Sequence, residues 1–202
     1  MCLRSYQGLY NPLCRTIEYE LLPALRSIGM AFYAYSPLAG GLLANSTSVA
    51  RASYRTGMLS DLGVVSADDM AADEAAVQRR KTFLKGMARL EHSVETAPLG
   101  PAGQRLGVKD AALRWFFHHS QLIEGDAVVV GSSRLDQVEQ LVASLNLPAP
   151  LGPHDSLPDT VVGALNDLWE SLRGMPYYPN QPGAPTLASR EHQAQAATAP
   201  RL

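Results

Sequence analysis

The run Phe32-Tyr-Ala-Tyr-Ser-Pro-Leu-Ala-Gly-Gly-Leu-Leu43 constrains the fold of this chain more than any other stretch. Phe32 to Tyr35 is short, aromatic and apolar, which predicts a buried strand. Ser36-Pro37 ends it, because proline has no N–H to give to a ladder. Gly40-Gly41 then lets the backbone turn tightly and approach a ligand closely. A strand that runs straight into a glycine-rich loop is where α/β proteins hold phosphate groups. The apolar window Ala31–Ala44 is broken by Ser36, Pro37 and the two glycines, so it is too short to span a bilayer.

The rest of the chain alternates between strand and helix signals. Leu3 to Tyr10 predicts a strand, and Asn11-Pro12 a turn. Leu21, Leu22, Leu25 and Ile28 recur at helical spacing within Thr16–Ser27, where Pro23 predicts a kink or a restart. Residues 45–69 lack periodicity and predict a long loop. Asp73–Glu95 predicts a helix with Ala76, Phe83, Met87, Leu90 and Val94 on one side. Pro98–Gly103 predicts a linker loop, and Val108–Ser120 a helix whose inner face is Ala112, Trp115, Phe116 and His119. Asp126–Val130 contains a continuous β-branched run, the mark of a parallel strand buried on both faces. Gly131-Ser-Ser follows, then a helix Arg134–Leu145 with Leu135, Val138, Leu141, Val142 and Leu145 inward. A last helix, Thr160–Leu172, carries Val161, Leu165, Leu168, Trp169 and Leu172. This order predicts βαβ units and a parallel sheet.

Length and composition set bounds. With 202 residues and 46% hydrophobic content the chain can build a core, but a complete (β/α)₈ barrel takes about 250 residues. A net charge of −2 gives no reason to expect a nucleic-acid or anionic-membrane partner. Cys2 and Cys14 are too few for a disulfide framework or a metal set, which predicts a reducing, cytoplasmic setting. Residues 1–7 have no apolar core like that of a signal peptide. Residues 1–178 are expected to form one unit, and 179–202, rich in Pro, Ala, Gln and Ser, a disordered tail.

A second site candidate is Gly131-Ser-Ser-Arg-Leu-Asp-Gln-Val-Glu-Gln140. Free N–H groups at a helix start, with Arg134 beside them, suit an anion. Taken alone, the run reads first as an ordinary helix start with Ser132 or Ser133 as its cap, because strand–Gly–Ser–helix is common.

Five blocks decide how such segments are weighed. They are Tyr6-Gln-Gly-Leu-Tyr-Asn11, the Phe32–Leu43 run, Ala111-Ala-Leu-Arg-Trp-Phe-Phe-His-His-Ser-Gln-Leu122, Gly125-Asp-Ala-Val-Val-Val-Gly131 and Leu135-Asp-Gln-Val-Glu-Gln140. In this order they resemble the aflatoxin-aldehyde-reductase branch of the aldo-keto reductases. The resemblance covers Ser5 to about Leu147, and the stretch from Trp169 to Tyr178 looks like the family's C-terminal end. It implies an α/β fold: the C-terminal part of a (β/α)₈ TIM barrel, with about three parallel strands (six to eight) and their helices. It also implies reduction of an aldehyde or ketone with NADPH.

By the same resemblance, Gln7 matches the glutamine that bonds the nicotinamide carboxamide, and Tyr35 the ring that stacks on the nicotinamide. Ser36, Pro37, Leu38, Ala39, Gly40, Gly41, Leu42 and Leu43 match the loop around the pyrophosphate. Ser132, Ser133, Arg134 and Gln137 match the strip at the adenosine 2′-phosphate, Gln140 a position near adenine, and Gly131 before them is counted with the cofactor-binding residues. Two departures stand out. Ala44-Asn-Ser46 replaces the family's Thr-Gly-Lys, and Leu141 replaces an asparagine near adenine. No segment matches the family's Asp, Tyr, Lys and His on the early strands, and adjacent His118 and His119 on an outer helix cannot replace them. The run that lies past the family's midpoint starts here at residue 32. The expectation is therefore a reductase from a shortened gene or from a gene model that misses its first half, or a remnant that binds cofactor weakly or pairs with another barrel subunit through open sheet edges.

Overall fold

The computed structural model describes residues 4–44, 74–98, 105–132, 134–145 and 156–173. Strands β1 (Ser5–Leu9), β2 (Ala31–Tyr35) and β3 (Ala127–Val129) form one parallel sheet in the order β1-β2-β3. The helices are α1 (Leu21–Ser27), α2 (Glu74–Glu95), α3 (Val108–His118), α4 (Leu135–Leu145) and α5 (Asp159–Leu172). Parallel strands in sequential order, joined through helices, are the local architecture expected of a barrel segment. The predicted loop at 45–69, most of the linker at 98–103 and the tail at 179–202 lie outside the described residues.

Proline placement explains the first crossover. The predicted helix from Thr16 splits into a single 3₁₀ turn, Thr16–Glu18, and α1. The restart comes at Leu21, so Pro23 falls in the first turn of α1, where its missing N–H leaves no bond unmade. Gly29 then takes φ 65°, the left-handed conformation that stops a helix cleanly.

The core lies on one side of the sheet. Tyr10 is its centre, fully buried, with ring centroids 5.3 Å from Trp115, 5.9 Å from Phe116 and 6.1 Å from Phe32. All three contacts are edge-to-face, the arrangement ring quadrupoles favour. Its hydroxyl donates to Glu18 at 2.6 Å and accepts the Gln121 N–H at 2.9 Å, and burial pushes its pKa well above the ordinary phenol value. The predicted inner faces of α2, α3 and α5 hold: Phe83, Met87, Leu90, Ala112, Trp115, Phe116, Val161, Leu165 and Leu168 are buried. Helices α2 and α5 pack so closely that a Cβ at Gly86 would collide with the Leu168 side chain.

Two predicted burials are corrected. The β3 strand is not enclosed on both faces: Val129 is 40% exposed, and across the sheet Tyr33 is 37% exposed. A β-branched run marks a strand fit for enclosure, but the second cover must be present, and none stands over this face among the described residues. In α4, Leu135 is 74% and Val138 40% exposed, so neither faces inward. Periodicity identifies an apolar stripe without supplying a surface for it to meet.

His119, read as part of the apolar face of this helix, stands at the C-cap position of α3 and is partly buried. Its Nε2 accepts the Leu157 N–H at 3.2 Å, which requires a neutral ring. Burial, helped by His118 and Arg15, lowers its pKa below the ordinary 6.5. The unfolded chain therefore takes up this proton first as pH falls. The stability His119 contributes is complete above about pH 6.5 and is lost below it. Urea midpoints at about pH 7.5 and about pH 5.5 should differ more for the wild type than for His119→Gln, whose side chain does not titrate.

Candidate functional site

Because the three strands run parallel, the loops that follow them emerge at one edge of the sheet. Side chains alternate along β2, sending Phe32 and Ala34 into the core and Tyr33 and Tyr35 to the open face. Register then places Gln7 beside Tyr33, Leu9 beside Tyr35, and Val129 on the other flank of Tyr35. Gln7 and Tyr35 thus share the open face near the loop edge.

The loop after β2 is anchored by half its side chains. Pro37, Ala39, Leu42 and Leu43 are buried, while Ser36, Leu38, Gly40 and Gly41 remain partly exposed. Its backbone is strained where it turns. Ser36 has φ 56° and Ala39 φ 50°, both non-glycine residues in left-handed conformation, followed by Gly40 at 64° and Gly41 at 101°. Non-glycine residues persist in such conformations, at roughly 1–3 kcal/mol each, only when the surroundings hold them.

Asn11 is one such hold, and sequence reasoning missed it. It is fully buried at the end of β1. Its carboxamide nitrogen donates to the Ser36 carbonyl at 3.0 Å, and its oxygen accepts the Leu13 N–H at 2.9 Å. Both bonds fit only one amide orientation, so the geometry is specified. The same Ser36 carbonyl also accepts the Ala39 N–H at 3.0 Å, which closes the turn. Asn11-Pro12 was legible only as a turn signal. The buried asparagine that ties the first loop to the second has no periodic signature.

Arg15 completes this brace. It is 8% exposed, its Nε donates to the Pro12 carbonyl at 2.9 Å, its Nη1 donates to Asn166 at 2.7 Å, and its guanidinium lies 4.5 Å from the centroid of the Trp115 ring. Burial lowers its pKa, and the flat weakly hydrated guanidinium is the cation best suited to such a place. Cys14 beside it is a free, buried thiol whose pKa burial pushes up to about 12, so it is no nucleophile.

After β3, Gly131 and Ser132 are exposed, and Ser133 lies outside the described residues. Ser132 Oγ sits 2.8 Å from the Arg134 carbonyl and 2.9 Å from Gln137 Oε1, which joins three of the expected residues at the start of α4. Arg134 reaches both carboxylate oxygens of Asp136, Nε at 2.8 Å and Nη2 at 2.9 Å. This mutual bond raises the arginine pKa and lowers that of the aspartate. Gln140 lies within α4, but its side chain is outside the described residues. Among the described residues, no group of three or more His, Cys, Asp or Glu could hold a metal, and no helix is long and apolar enough to cross a membrane.

Comparison with known proteins bears on all three loops. The Aldo/keto reductase family profile matches residues 2–152. Human aflatoxin B1 aldehyde reductase member 2 is 37% identical over 81% of this chain and 42% of its own length. Human aldo-keto reductase family 7 member A3 is 37% identical over 81% of this chain and 46% of its own length. The chain therefore spans less than half the length of these relatives. An aldo/keto reductase from Klebsiella pneumoniae, solved with NADP and acetate, superposes with a TM-score of 0.39 at 19% identity, over 82% of this chain and 39% of that one. That superposition is too loose to bear weight. The profile covers both strand–loop junctions and the α4 start, and on that extent this chain belongs to the aldo/keto reductase family.

Proposed function

We propose that these residues form the cofactor-holding part of an NADPH-dependent reductase that converts a small aldehyde or ketone to an alcohol. The observation that carries this reading is the convergence of three loops at one sheet edge, beside an open face bearing Gln7 and Tyr35. When bound, NADPH supplies the hydride. Gln7 offers a carboxamide to hold the nicotinamide amide, and Tyr35 a ring for its flat face. The partly exposed backbone of Ser36, Leu38, Gly40 and Gly41 suits a pyrophosphate, because no side chain at the glycines blocks its approach. Ser132, Ser133, Arg134 and Gln137 would meet the 2′-phosphate, and Gln140 the adenine. The general acid is not assigned among these residues; in this reading the family's Asp, Tyr, Lys and His set lies on strands other than β1, β2 and β3. A reducing cytoplasmic setting suits the unpaired Cys14 thiol.

Arg134 is not free in this arrangement, but its pair with Asp136 is exposed, with side chains 69% and 46% accessible. Exposed ion pairs contribute little, so a phosphate could draw the guanidinium away at small cost. NADPH should therefore bind roughly tenfold tighter than NADH, and Arg134→Ala should abolish most of that difference. Fluorescence titration of both cofactors measures it. Equal affinities, unchanged by the substitution, would remove the basis for this strip.

A second reading rests on the exposed Tyr33 and Val129 and on β1 and β3 as edge strands. Open edges and apolar faces recruit other chains. The isolated protein is then expected above monomer mass by size-exclusion chromatography with light scattering. A monomer with a sharp cooperative melt would contradict it.

A further inference from the structure

We propose that the groove between α2 and α5 binds a small, multiply charged anion, independently of the cofactor loops. The groove offers about 330 Å³ and is lined by Gln78, Lys81, Thr82, Lys85, Gly86 and Arg89 of α2 and by Ser171 of α5. That volume is at the lower end of small-molecule sites and suits a ligand with two or three charged groups.

Three observations point the same way. Lys81, Lys85 and Arg89 are spaced i, i+4, i+8, so they stand one above another on a single exposed stripe of the helix. None of the three forms an ion pair among the described residues. Like charges four residues apart repel, and from residue 75 to residue 90 the sequence contains no carboxylate to offset them. This clustering is local, because the chain as a whole carries a net charge of −2.

The concavity has a structural origin. At Gly86 helix α2 comes close to Leu168, and a Cβ there would displace the end of that side chain. Leu168 fills the space beside Gly86, and the groove lies next to this close contact, bounded across the gap by Ser171. Ser171 donates its hydroxyl proton to the Leu168 carbonyl at 2.7 Å, while Gln78 and Thr82 bring further donors to the lining. The carboxylates of α5 adjacent to Ser171 are Asp167, one turn earlier, and Glu170, which is taken up by Arg173 at 3.3 Å; neither lines the groove. A cluster of cations with neutral donors and no carboxylate in the lining is the arrangement that holds phosphate or carboxylate groups.

The test uses the full chain and two probes, pyrophosphate for phosphate chemistry and citrate for polycarboxylate chemistry, each against potassium chloride at matched ionic strength. Equilibrium dialysis with labelled probe is read alongside the thermal melt, so the result does not depend on a cooperative transition. At least one probe should bind saturably. The combined Lys81→Gln, Lys85→Gln and Arg89→Gln variant, which changes only exposed side chains, should weaken that binding at least tenfold. Arg134→Ala should leave it unchanged, which separates this groove from the cofactor loops. The preferred probe identifies the anion class. Binding no stronger than the chloride control, binding retained by the triple variant, or binding lost in Arg134→Ala would each overturn the proposal.

Discussion

Replacing Asp126 with alanine is expected to cost this chain roughly 2–3 kcal/mol, below the range for a fully buried charge pair because the Arg26 left behind is 24% exposed. The Asp126 side chain is 2% exposed and faces four donors. One carboxylate oxygen accepts the Phe32 N–H at 2.8 Å and Arg26 Nη1 at 3.1 Å; the other accepts the Ile123 N–H at 2.9 Å and Arg26 Nη2. Since Tyr33 pairs with Ala127, Phe32 stands opposite Asp126 itself. The carboxylate therefore continues the β2–β3 ladder by one bond beyond the strand. Alanine would take the acceptor from the Phe32 and Ile123 N–H groups and leave the Arg26 guanidinium only its bond to the Gln121 carbonyl at 3.3 Å. Asp126→Asn keeps the shape but turns one acceptor into a donor facing donors, so it should lose most of the same stability. Urea denaturation, with soluble yield as the second readout, checks this. A loss under about 1 kcal/mol in the alanine variant would show that water replaces the carboxylate at little cost.

Asp126 also shows what could be read in advance. The strands and helices were legible because each depends on local rules: the aromatic run of β2, the β-branched run of β3, the apolar stripes of α2, α3 and α5. The family was legible because whole blocks around Gln7, Tyr35 and Arg134 kept their order. Long-range polar ties were not legible. The bonds of Asn11 to Ser36, Arg15 to Asn166, and Asp126 to Phe32 and Arg26 cross 25, 151, 94 and 100 residues of sequence. No periodicity or motif links such positions; the fold alone brings them together. The misread burials of Val129, Leu135 and Val138 have the opposite cause, since an apolar pattern states a tendency and says nothing of the neighbour that must satisfy it.

The division of labour proposed for this chain is tested most directly by supplying what it is proposed to lack. Strands one to five of a related aldo-keto reductase would be co-expressed with this protein, and NADPH oxidation followed with a panel of aldehydes and diketones. In this proposal the general acid comes from the added strands, and loss of such a group typically lowers rates by about 10²–10⁴-fold. The reconstituted assembly should exceed the isolated chain by at least that factor, and its preference for NADPH should fall with Arg134→Ala. Turnover near one per second by the chain alone, or a soluble assembly of both parts that oxidises no NADPH, would contradict the account.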